Sequence, residues 1–269
     1  MTATAHILAS GPGWRVSDIV CTAGPGDRAF EEEHPQHCIA VVRSGSFRYR
    51  STQGSAVLAP GSLLLGNRGA CFECGHEHAA GDRCLAFQFE PAWLEGIVAA
   101  VPGARQTGFA RAHLPALASL AGIVAEAEIA ASEPERLEES ALRLAGAVAS
   151  VLSGTKPGIA TPTARDQRRI TRALRHIEAH CEEALSIDML ARQAAMSPYH
   201  FLRTFRALVG MTPHQYVLRT RLHRAALLLR RTDQPVAGIA FDCGFGDLST
   251  FNRRFKRVMG ASPGDYRRA

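Results

Sequence analysis

The sequence predicts an α+β chain: an N-terminal antiparallel β-barrel with following helices, then an all-α domain carrying two helix-turn-helix units. Three observations lead there. Short apolar runs broken by glycine and proline fill the chain up to about Phe89; helical periodicity takes over after Pro91; and the stretch FLRTFRALVGMTPHQY, from Phe201, recurs as FNRRFKRVMGASPGDY, from Phe251. With 269 residues there is chain enough for two cores that need neither metal nor disulfide support.

The first part reads as small strands. CIAVVRSGSFRYR, AVLAPGSLLLG and CLAFQFE alternate with RSGS, TQGS and APGS, whose glycine and proline suit tight connections between antiparallel strands. From 91 to 153 the texture is helical, and Leu137, Ala141, Leu144, Val148 and Val151 step by four and three. That stripe must be covered, either by the strands of its own domain or by the same stripe of a second copy. Residues 154–166 combine glycines, prolines and small polar residues without periodicity, as a linker does. The expected domains are therefore 1–153 and 167–269.

Beyond Gln167 almost everything is helical. Ile170, Ala173, Leu174 and Ile177 form one apolar face. Ser186, Ser197, Thr212 and Asp247 stand where N-caps are needed, two of them directly before Pro198 and Pro213. The connection at Ser197 is so short that the helices on either side must cross steeply.

Charge divides the chain in the same place. From Arg165 onward there are 19 Lys+Arg and 9 Asp+Glu, a net of +10, whereas the preceding residues carry 12 and 16, a net of −4. A basic C-terminal part suits a polyanionic partner, with nucleic acid the commonest. No run of apolar residues is long enough to cross a bilayer, and the N-terminus lacks an export signal. A cytoplasmic protein is expected. Seven scattered cysteines fit reduced thiols rather than a disulfide framework.

The duplicated stretch can be read by angle. With Phe201 at zero and about 100° per residue, Phe205 and Leu208 fall within about 40° of it, and Tyr199, Arg203 and Arg206 roughly 140–200° away. In the second copy the same rule buries Phe251, Phe255 and Val258 and frees Ser249, Arg253 and Lys256. Helix-turn-helix units present their second helix to the DNA major groove, where an outward arginine pairs with guanine or holds phosphate. The helix between the copies, about 18 residues or roughly 27 Å, approaches the ~34 Å that separates successive major-groove faces.

Gln167 to Arg268 resembles the DNA-binding domain of the AraC/XylS family of bacterial transcription regulators. LARQAAMSPYHFLRTFRALVGMTPHQYVLRTRLHRAALLL and IAFDCGFGDLSTFNRRFKRVMGASPGDYR carry the resemblance. It implies seven helices and sequence-specific binding of double-stranded promoter DNA, with RNA polymerase as a further partner. Carried over by position, it puts Tyr199, His200 and Arg203 of the first unit, and Leu248, Ser249 and Arg253 of the second, against bases or phosphates. Leu248 departs from members with a polar residue there, which shifts the expected contacts of that unit toward the DNA backbone. Arg206 and Lys256 complete the candidate DNA-binding set.

The first half resembles, through its strand rhythm and APGSLLLGN, the cupin-like sensor and dimerisation domain that this family often carries. A small-molecule effector and a homodimer are the partners this implies. Its densest chemistry is CFECGHEHAAGDRC, which brings together Cys71, Cys74, His76, His78 and Cys84, with His34, His37 and Cys38 joining them if the strands pair suitably. Thiolates and imidazoles suit zinc or another soft-to-borderline ion. Metal-binding cupins arrange two histidines, a carboxylate and a distant histidine differently. Buried, inert cysteines are the plain alternative. Two other functions stay open at this level: a metal-dependent cupin oxygenase with a DNA-binding tail, and an architectural protein that binds DNA without sequence preference.

Overall fold

A computed structural model describes residues 3–76, 80–154 and 162–268. His78 and residues 155–161 of the expected linker lie outside them. The chain forms two compact units, Met1–Ile159 and Ala160–Ala269.

The first unit begins with strands β1 (Ala3–Gly11), β2 (Trp14–Cys21), β3 (Phe30–Glu33), β4 (His37–Gly45), β5 (Phe47–Ser51), β6 (Gly54–Leu58), β7 (Leu63–Gly66), β8 (Cys71–Gly75) and β9 (Asp82–Phe89). Helix α1 (Pro91–Ala99), the short strand β10 (His113–Leu114), α2 (Ala118–Ala130), a 3-10 turn and α3 (Leu137–Leu152) follow. The strands make one six-stranded sheet, β1-β2-β9-β4-β7-β10, and one four-stranded sheet, β3-β8-β5-β6, with antiparallel pairing throughout.

Side-chain alternation explains how the sheets meet. Cys38, Ala40 and Val42 of β4 and Cys84 and Ala86 of β9 face Phe47, Tyr49, Leu58 and Cys74 of the smaller sheet in one apolar cluster. Ile39, Val41, Leu85 and Phe87 point the other way and are also fully buried. A strand buried on both faces reads as a continuous apolar run, and CIAVV and CLAF are such runs. Helix α3 lies across β1 and β2 and packs on α1 and α2. Of its stripe, Leu137, Ala141, Leu144 and Val148 are wholly enclosed and Val151, in the last turn, is half-buried. Of the two covers expected for that stripe, the chain uses its own.

The second unit has seven helices among the described residues: α4 (Ala164–Ala179), α5 (Ile187–Gln193), α6 (Pro198–Val209), α7 (Pro213–Arg231), α8 (Val236–Asp242), α9 (Leu248–Met259) and α10 (Pro263–Arg268). The four expected caps all form: Ser186, Ser197, Thr212 and Asp247 each accept an N–H from the first turn. Thr163 and Asp166 make a reciprocal capping box that starts α4 at Ala164, so the last residues read as linker are helix.

Candidate functional site

Two copies of one aromatic triad hold α6 and α9. Phe201 and Phe205 lie 5.6 Å apart, and Phe205 meets the edge of Tyr216 at 5.9 Å and 71°. Fifty residues on, Phe251 and Phe255 lie 5.4 Å apart, and Phe255 meets Tyr266 at 5.4 Å and 81°. All four phenylalanines are fully buried. Edge-to-face contacts set ring orientation as well as depth, so the same helix face points inward in both copies. The turns differ by one residue. Met196 N–H reaches Ala191 O, Phe245 N–H reaches Ala240 O, and Gly246 is extra before the second cap.

The opposite faces carry cations. On α9, Ser249, Arg253, Lys256 and Arg257 are exposed, and on α6 so is Arg206. Leu248 shows 36% of its surface at the start of α9. His200 is half-buried, its Nε2 3.7 Å from Asp166 Oδ1. Arg203 is also half-buried, with its guanidinium 5.7 Å from the centre of the Tyr199 ring.

Two face assignments need correction. Tyr199 is buried, 7% exposed, and desolvation pushes its phenol pKa up. It sits in the first turn of α6, where α5 crosses closely, so the helix is enclosed over a wider arc than in its later turns. Val258 is 49% exposed. It occupies the last turn of α9, beyond the packed Phe251 and Phe255.

Helix α7 joins the copies. Arg221, in its middle, donates to the backbone carbonyls of Cys181 (2.5 Å) and Glu183 (2.7 Å) ahead of the first helix-turn-helix and of Gly244 (2.8 Å) in the turn of the second. Charge-assisted bonds to fixed acceptors are strong and directional. A Cβ on Gly244 would stand 2.4 Å from Glu182 O, so the segments are in contact, and Arg224 pairs with Glu182 beside them at 2.7 Å. Sequence reading missed this brace because its acceptors are main-chain atoms. It also passed over a row of exposed arginines on α4, Arg165, Arg168, Arg172 and Arg175, although their spacing of three and four was visible.

In the first unit the cysteine- and histidine-rich stretch divides. Cys74 and His76 point between the sheets, whereas Cys71 is exposed on the opposite face of β8 and lies apart from them. His76 Nε2 is 2.6 Å from Asp82 Oδ1, with side chains only 2% and 7% exposed. Cys84 Sγ lies 3.3 Å from Asp82 Oδ2. Cys21, outside the expected set, faces Asp82 directly across β2 and β9. Burial pushes the thiols of Cys21, Cys74 and Cys84 up in pKa, and that of Cys38 to about 12. His34 and His37 are engaged elsewhere, the first against Tyr49 and Phe72, the second against Phe109.

Known proteins resemble both units. Residues 20–146 match the family model described as an AraC-like ligand binding domain, and residues 190–269 a helix-turn-helix domain. The chain is 27% identical over 256 residues to the HTH-type transcriptional activator RhaS of Klebsiella pneumoniae, covering 89% of this chain and 88% of that one. It is 35% identical over 101 residues to the regulatory protein SoxS of Salmonella typhimurium, 38% of this chain and 94% of that protein. Against the probable transcriptional regulator LumQ of Photobacterium leiognathi it is 37% identical over 91 residues, 34% of this chain, and spans only 37% of that protein's length.

Proposed function

The chain belongs to the AraC/XylS family of DNA-binding transcriptional regulators, and from that membership we propose how its two units divide the work. Helices α6 and α9 enter successive major-groove segments on one side of promoter DNA. Arg203, Arg206, Arg253 and Lys256 supply base and phosphate contacts, and Ser249 approaches the DNA from the start of α9. Leu248 offers an apolar contact there, which suits a thymine methyl. His200 contributes a phosphate contact, and Tyr199 acts by supporting Arg203. The exposed arginine row of α4 adds phosphate contacts.

The observation that carries this reading is the repeated aromatic triad, because two helices seated by the same three rings turn the same face outward, with Arg206 and Lys256 exposed at equivalent positions. Helix α7, with 19 residues, is about 28 Å long, comparable with the ~34 Å between groove faces. The first unit takes a small-molecule signal and passes it to transcription by RNA polymerase. Cytoplasmic location follows from a chromosomal target. Among the described residues no helix is long and apolar enough to cross a membrane. Pairing of two chains through the α3 stripe is not part of this reading, since that stripe is filled within its own unit.

Footprinting of the full chain on genomic fragments tests the proposal. The expected result is two protected half-sites one helical turn apart, with binding that weakens steeply as salt rises. Equal protection of all sequences would leave only an architectural role.

A further inference from the structure

Where the two sheets of the first unit converge, three donors of the kind that hold transition metals meet in a dry place. Cys21 ends β2 and stands opposite Asp82, the first residue of β9, and side chains of directly opposed residues are neighbours on one face. Cys84, two residues on, shares that face. His76 comes from the other sheet, just past the end of β8. The donor atoms of Cys21, His76 and Asp82 all lie within 4.8 Å of one another.

We propose that Cys21, His76 and Asp82 form a binding site for one thiophilic divalent cation, with zinc as the best fit and Cys84 beside it, its Sγ 3.3 Å from Asp82 Oδ2. Tetrahedral zinc has bonds of about 2.0 Å to nitrogen or oxygen and about 2.3 Å to sulfur, which puts neighbouring donors roughly 3.3–3.8 Å apart. The separations here, 2.6 Å between His76 and Asp82 and at most 4.8 Å from either to Cys21, bracket that range. Small side-chain rotations close the site. A sulfur and an imidazole favour zinc over magnesium or calcium, which prefer all-oxygen shells. As the sulfur–metal bond forms, the thiol proton of Cys21 passes to solvent, and the bond between His76 and Asp82 gives way to two bonds to the ion.

The surroundings suit a fixed site. The ring of Phe47 lies against the His76 imidazole at 5.8 Å and 29°. Gly81 N–H donates to Ala23 O at 2.8 Å, tying the approach to Asp82 to the chain just past Cys21. The donors thus come from three segments held by the sheets, which pre-organises them. This differs from the cluster expected from sequence, since Cys71 is on the wrong face and Cys21 and Asp82 enter. The proposal deepens the reading of the first unit as a signal receiver and rests on it only for any effect on DNA binding.

The test uses the full chain, reduced and stripped of metal with a chelator, then titrated with cobalt(II) as a spectroscopic stand-in and with zinc in competition. One equivalent of cobalt is expected to bring up a thiolate charge-transfer band and tetrahedral visible bands that zinc abolishes. Cys21→Ser and His76→Gln should each weaken binding more than about tenfold, whereas Cys71→Ser should leave it unchanged. Melting followed by tryptophan fluorescence checks that each variant is folded. A folded wild-type chain with no thiolate band overturns the site, as does a band that survives in folded Cys21→Ser or vanishes in Cys71→Ser. Footprinting of the metal-free chain reports separately on DNA binding, so loss of one proposal is distinguishable from loss of the other.

Discussion

Gly210 and Gly260, fifty residues apart, end α6 and α9 with the same left-handed backbone, at φ of 76° and 79°. Each donates its N–H to the carbonyl four residues back, Arg206 O and Lys256 O, at 3.0 Å. Nothing stands within 4 Å of where a Cβ would be at either position. The cost of a side chain there is therefore one of backbone conformation alone. Gly210→Ala and Gly260→Ala should each destabilise the helical unit by about 1–2 kcal/mol, and asparagine by less. Thermal denaturation checks this, and an alanine variant as stable as the parent would contradict it.

Inward and outward residues of α9 should separate cleanly in their effects. Phe255 is fully buried, and Phe255→Ala should cost about 3–5 kcal/mol of stability through the cavity it leaves. Val258→Ala, half-exposed one turn away, should fall within about 0.5 kcal/mol of the parent. Arg253→Ala should leave the melting temperature unchanged and weaken DNA binding by about 1–3 kcal/mol, with relaxed preference at one base position if the contact is to guanine. Lys256→Ala should weaken all sequences alike and lower the salt dependence. Paired melting curves and binding titrations measure both sides.

The brace on α7 makes a different prediction. Replacing Arg221 by methionine keeps much of the stem but removes three bonds to carbonyls, at a cost of roughly 2–4 kcal/mol. Gly244→Ala adds a clash with the Glu182 backbone to the strain of φ 83°. Either change should reduce affinity for a two-half-site DNA more than for a single half-site, because what is lost is the fixed placement of one reading helix relative to the other. Binding to DNA with one or two half-sites distinguishes this from simple unfolding.

Acid should act on the first unit through His34. Its ring is bonded to the Tyr49 hydroxyl at 2.9 Å and stacked on Phe72 at 4.1 Å, and burial lowers its pKa from 6.5 to about 4. Between those values the unfolded chain binds a proton that the folded chain does not. Stability from this group is complete above pH 6.5 and is lost as pH falls toward 4, by on the order of 3 kcal/mol. His37, also lowered by burial, adds to the same slope. Both tryptophans, Trp14 and Trp93, are in this unit, so their fluorescence follows its melting alone. His34→Gln should flatten the profile between pH 6.5 and 4.

How much of this was legible follows from what each feature depends on. Helix starts were readable because a cap is a local matter: the hydroxyl of Ser186, Ser197 or Thr212 answers N–H groups two or three residues on. The aromatic triads were readable because they recur at a fixed interval. Tyr199 and Val258 were misplaced because an angle on one helix does not tell how far its neighbours reach. Cys21 joins Asp82 through strand register, and 61 positions of sequence separate them; no local pattern specifies that. The brace at Arg221 was invisible for another reason, as its partners are carbonyls common to every residue.

Helix α7 is contacted along its length by α4, α6, α8 and α10, and this has a consequence for how such a chain can vary. One residue added to or removed from it would rotate everything downstream by about 100° and shift it by about 1.5 Å. Arg221 would then miss Gly244, and the aromatic pocket at Tyr266 would turn away from its seat. Mutation can repaint the outer side of this helix freely, yet its letter count is locked, like the tooth number of a gear that must mesh at both ends.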